Sequence, residues 1–107
     1  MHNVYTLCMD VLFRYEGLDF VWDVHKAASN LVKHGVRFEL ACQAFLDPFA
    51  QLRDAGIDEE IRSAIVGETE QGRLLFVVHI ERDDEAIRII SARQATAQER
   101  KSYEDYA

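Results

Sequence analysis

The sequence predicts an α+β domain, a small antiparallel sheet (a meander) with two helices from the N-terminal half and one C-terminal helix packed on it. Three observations carry this. Residues 23–35 show helical apolar spacing with a cap residue at each end; two Val- and Ile-rich runs flank Asp83-Asp84; and Thr96-Ala97-Gln98-Glu99 has the form of a capping box. With 107 residues, 49% of them hydrophobic, and one proline, the chain is long and apolar enough for one domain with its own core. That domain is placed at residues 18–107, behind an extension of uncertain structure at residues 1–17.

Within the extension, Val4 to Phe13 fits a strand, a short helix or an irregular arm equally well. Leu18 to Trp22 alternates as a short strand. Asp23 offers an N-cap, and Val24, Ala27, Ala28 and Leu31 follow at i, i+3, i+4 and i+7 on one face. Lys33 and His34 suit the last turn and Gly35 the terminating position; Lys26, Asn30 and Lys33 share the opposite face. A second helix is read from Phe38, Ala41, Cys42 and Phe45, poorly capped by Arg37 and stopped at Asp47-Pro48. A short strand is expected near Ala50 to Arg53, then an acidic loop, then a strand at Ile61 to Val66. Leu74 to Arg82 and Glu85 to Arg93 read as a hairpin across Asp83-Asp84, and the capping box opens a last helix through Tyr103.

Cys42 lies among Leu40, Ala41, Ala44 and Phe45, as a buried small hydrophobe would, and no Cys/His spacing suggests a metal centre or cofactor. The start of the chain lacks a basic region ahead of Asp10 and makes a poor signal peptide, and the run Leu74 to Val78 is too short to span a bilayer. A cytoplasmic protein without membrane contact is therefore expected.

The net charge of -7 argues against a generally basic nucleic-acid binder. It is unevenly spread. Residues 24–37 and 86–103 each carry +3, whereas residues 38–61 carry -5.

A two-residue hairpin loop at Asp83-Asp84, or a symmetric four-residue one, places His79 opposite Arg88, whereas a three-residue loop breaks that pair. Alternation then puts Phe76, Val78, Ile80, Ile87 and Ile89 in the core, with Leu75, Val77, His79, Arg88, Ile90 and Ala92 on the other face. Arg62 joins that second face, and Arg93 closes the strand beside the last helix. Arginine forks match phosphate oxygens and histidine can move a proton near neutral pH, so the set has the chemistry of RNA cleavage. The same pattern also fits solvated arginines on the open face of a sheet.

Phe20-Val21-Trp22-Asp23 with Lys26, Asn30 and Lys33-His34-Gly35-Val36, then Glu60-x-Arg62, Val66-Gly67, Gly72-Arg73-Leu74-Leu75 and Glu81-Arg82, resembles the BrnT family of toxins. So does Ile87-Arg88-Ile89-Ile90-Ser91-Ala92-Arg93 with Ala95, Glu99-Arg100 and Tyr103. The resemblance implies a RelE-like fold and a ribonuclease toxin of a type II toxin–antitoxin pair, cleaving RNA without a metal and arresting translation and growth. It implies an antitoxin partner, BrnA-like with a ribbon-helix-helix DNA-binding part, so that DNA is met only through a complex, a dimer or a heterotetramer. It assigns catalysis to Arg62, His79, Arg82, Arg88 and Arg93, and RNA binding to Lys26, Asn30, Lys33 and His34. Glu68 and Arg37 depart from the family pattern, and a catalytically inactive, protein-binding member is the alternative reading.

Overall fold

The computed structural model describes residues 9–54, 62–82 and 85–106. The Asp83-Asp84 turn, most of the acidic loop and Ile61 lie outside the described residues, as does most of the segment before Asp10. The chain is α+β, as its patterning predicts. Its elements are β1 (Asp10–Tyr15), β2 (Leu18–Asp23), α1 (Val24–His34), α2 (Phe38–Ala41, continuing as a 3-10 turn through Cys42–Leu46), β3 (Gln51–Asp54), β4 (Ser63–Glu68), β5 (Leu74–Ile80), β6 (Ile87–Gln94) and α3 (Ala97–Tyr106).

The caps fall where the sequence puts them. Asp23 accepts from the backbone N–H of His25 and Lys26 at 2.8 and 3.0 Å, and Gly35 closes α1 at φ 69°. Thr96 and Glu99 exchange side-chain-to-backbone bonds at 2.9 and 3.1 Å.

The sheet corrects the expected antiparallel meander. Its six strands run in the order β1-β2-β6-β5-β4-β3, and β2 pairs with β6 in parallel, through Phe20↔Ile87 and Val21↔Arg88. Every other pairing among the described residues is antiparallel. The extension contributes β1, turned onto β2 through Glu16 and Gly17, both at positive φ.

A second correction concerns the β5–β6 register. His79 faces Ile89, not Arg88, and Arg88 faces Ile80, because an odd number of residues, seven, connects that last pair; a bulge between Val78 and His79 then shifts the register again farther from the turn. The extra residue exchanges the faces of the upper part of β6. Leu75, Val77 and His79 therefore join Ile65, Ile89 and Ala92 in the main core, with Phe20, Trp22, Val36, Phe38 and Cys42. The expected core face of β5, Phe76, Val78 and Ile80, is half-buried on the other side.

Each face of the sheet has its own cover. Helices α1 and α2 sit on the Phe20–Trp22 side. Helix α3 lies against the other side at its lower end, where Tyr103 packs with Val66, Leu74, Phe76 and Ala95, and the Tyr103 hydroxyl donates to Asp47 at 2.5 Å. Close approach of the main-core cover is permitted by Gly67, where a Cβ would run into the carbonyl oxygen of Ala44.

Candidate functional site

The upper end of the α3-covered face is open. Cross-strand pairing lines up Leu12, Val21, Arg88 and Ile80 there, one residue from each of β1, β2, β6 and β5. With Arg82, Glu85 and Ala86 they enclose a cleft of about 330 Å³. Its lining is both apolar and charged. Arg88 donates from Nη2 to Asp10 Oδ2 at 2.9 Å and from Nη1 to Oδ1 at 3.3 Å, with 37% of the Arg88 side chain exposed. Hydrogen bonding from Arg88 holds the Asp10 carboxyl below its usual range. Arg82 is more open, 3.8 Å from Glu85.

The bulge also decides where Arg93 points. Arg88 and Arg93 are five residues apart, an odd interval that regular alternation would split between faces. Pairing of Arg88 with Ile80 and of Arg93 with Phe76 puts both on the α3 side. Arg93 is occupied there. Its two terminal nitrogens donate to the two Glu99 oxygens at 2.9 Å each, and its guanidinium lies 4.2 Å over the Phe76 ring. This hydrogen bonding lowers the Glu99 pKa. Glu99 is also half of the α3 capping box, so Arg93 ties the helix start to the sheet.

His79 belongs to the other side. It is fully buried, edge-on to Phe45 at 4.9 Å, with Nδ1 3.4 Å from the Val77 carbonyl oxygen. Its Nε2 has no hydrogen bond among the described residues, and a Glu81 oxygen lies 3.5 Å away. Burial pushes the His79 pKa down. Arg62 is half-buried just before β4, whose first residue, Ser63, pairs with His79.

Asn30 is 5% exposed, so it faces the sheet rather than a groove. Lys26, Lys33 and His34 are exposed on α1, across the sheet from Arg88. The structure thus gathers Arg82 and Arg88 at one cleft and leaves the other candidates elsewhere. Asp10 and Leu12 are members of the cleft that sequence reasoning missed. The signal for them was the Glu16-Gly17 turn, which fixes β1 against β2 and so carries Leu12 to Val21.

A family model described as the ribonuclease toxin BrnT of type II toxin–antitoxin systems matches residues 22–99. Among solved structures, the chain is similar to the ribonuclease toxin BrnT of Brucella abortus, with 30% identity and a TM-score of 0.57 over 70% of this chain and 92% of that one. None of the curated proteins matches it. Among the described residues, no helix is long and apolar enough to cross a membrane.

Proposed function

The chain belongs to the BrnT family of ribonuclease toxins of type II toxin–antitoxin systems, and from that premise we propose that it is an active, metal-independent endoribonuclease whose phosphate site is the Arg88 cleft. The observation that carries this is the meeting of apolar residues, Leu12, Val21 and Ile80, with Arg82 and Arg88 in one cleft. RNA cleavage by attack of the 2′-hydroxyl builds negative charge on the phosphate oxygens, and a guanidinium aimed at them lowers that barrier. In this reading Arg88 binds the phosphate, Arg82 approaches from the loop, and Arg62 adds positive charge. His79 and Arg93 hold the scaffold. Lys26, Lys33 and His34 lie too far round to share that phosphate and serve flanking RNA.

The family's type II character implies an antitoxin partner. We take it to be BrnA-like, with a ribbon-helix-helix part that brings the complex to DNA as a dimer or heterotetramer. The fold is read as RelE-like, residues 18–107 as its one domain and the cytoplasm as its place of action. Translation and growth are what it arrests.

Purified protein should cut RNA in the presence of EDTA. Arg88→Ala should slow cutting at least about tenfold, the loss of about 1.4 kcal/mol of transition-state stabilisation. An unchanged rate would remove the site from this cleft. The Asp10–Arg88 pair favours a second reading, an inactive member that only binds its antitoxin. Growth arrest on induction, relieved by the neighbouring gene product, decides for the toxin.

A further inference from the structure

The Asp10 carboxylate holds Arg88 as a phosphate would. It takes one N–H from each terminal nitrogen, at 2.9 and 3.3 Å, in the two-pronged geometry by which arginine binds phosphate oxygens. Asp10 begins β1, and β1 lies wholly outside residues 22–99, the stretch that matches the family model. The strand is firmly placed. It pairs with β2 along six residues, and Val11, Phe13 and Tyr15 pack against the main core while Asp10 and Leu12 turn to the cleft.

We propose that Asp10 is an intramolecular stand-in for the RNA phosphate, so that β1 restrains the nuclease site and substrate must displace the carboxylate from Arg88. This rests on the assignment of Arg88 to phosphate binding. Both partners are more than one-third exposed, 37% and 39%, so water screens the pair and the restraint is mild.

The test uses the full chain and two probes: an RNA oligonucleotide for cleavage, and its all-2′-deoxy counterpart, which lacks the nucleophile, for binding. At low salt, Asp10→Asn should speed cleavage and tighten binding of the deoxy probe by about two- to fivefold, and added salt should shrink both gains. In an Arg88→Ala background the Asp10→Asn gain should vanish. Asp19→Asn removes the same charge from the same hairpin, where Asp19 pairs with Arg14 at 2.8 Å, and should give no gain. A gain that persists without Arg88, or that Asp19→Asn reproduces, is general charge repulsion and overturns the restraint. So does an Asp10→Asn protein that binds and cuts no better, provided Arg88→Ala alone weakens binding. If Arg88→Ala alone changes neither binding nor cleavage, the assignment of Arg88 itself fails and takes the restraint with it. The binding probe reads all these outcomes even where cleavage is too slow to follow.

Discussion

Asn30 grips the peptide groups of Ala92 from the side. Its Nδ2 donates to the Ala92 carbonyl oxygen at 2.8 Å and its Oδ1 accepts from the Ala92 N–H at 3.0 Å, while Nδ2 also donates to the Val36 carbonyl at 3.0 Å. The pairing of β2 with β6 stops at Val21↔Arg88, so farther along β6 the carboxamide of Asn30 stands in for the peptide of a neighbouring strand. Buried backbone groups need partners, and this side chain supplies them.

Asn30→Leu should therefore behave as a folding variant. Leaving these buried groups unpaired costs about 2–4 kcal/mol, lowering Tm by roughly 10–20 °C, as a thermal melt would show. A melt within about 2 °C of the parent would show that the clasp contributes little.

Gly67→Ala should also destabilise, by about 1–3 kcal/mol. The added carbon meets the Ala44 carbonyl oxygen and lies 3.0 Å from the Ala44 side chain, so the 3-10 turn must move off β4. Urea unfolding measures the cost.

His79 makes stability depend on pH. Its folded pKa lies below the ordinary histidine value of 6.5 because burial disfavours the charged ring. Below that value the unfolded chain takes up a proton that the folded chain excludes. Stability from this group is thus fully present above about pH 6.5 and declines as the pH falls towards the folded pKa, by up to about 1.4 kcal/mol per unit. Urea midpoints between pH 7.5 and 5.5 should fall in the parent and flatten in His79→Leu. Equal slopes would rule out the buried ring as the source.

Arg93→Lys keeps the charge but loses the fork on Glu99 and the flat contact with Phe76. The expected cost is about 1 kcal/mol, with the pair only partly buried. It should show as faster amide exchange in the first turn of α3, at Arg100, whose N–H bonds to Thr96.

What the sequence made legible is local. Asp23, Gly35, Pro48 and the Thr96–Glu99 pair act on their own neighbours, so their elements lie within a few residues of expectation. The burial of Cys42 followed from its apolar neighbours. Choosing the core face of β5 was another matter. Helices cover the sheet from both sides, so Leu74 and Leu75 are both buried and alternation does not choose between the faces. An odd-numbered connection then moved Arg88 away from His79, and a bulge put Arg88 and Arg93 on one face. A one-residue irregularity leaves no mark in a run such as Ile87-Arg88-Ile89-Ile90. Parallel pairing of β2 with β6 joins residues more than sixty positions apart, beyond the reach of periodicity. At the cleft, arginine chemistry was readable and its carboxylate partner was not, because Asp10 is brought there by a hairpin whose turn places Glu16 at positive φ, an uncommon residue for that conformation.

The strand order has a consequence for how the protein comes into being. The strand that joins the two halves of the sheet, β6, is made after the other five, and it brings Arg88, Ile89 and Ala92 with it. A nascent chain halted before Ile87 has an N-terminal hairpin and a separate β3–β5 unit with nothing between them. The cleft cannot form until that strand has left the ribosome and inserted. Synthesis itself thus delays assembly of the cleft until the chain is nearly finished.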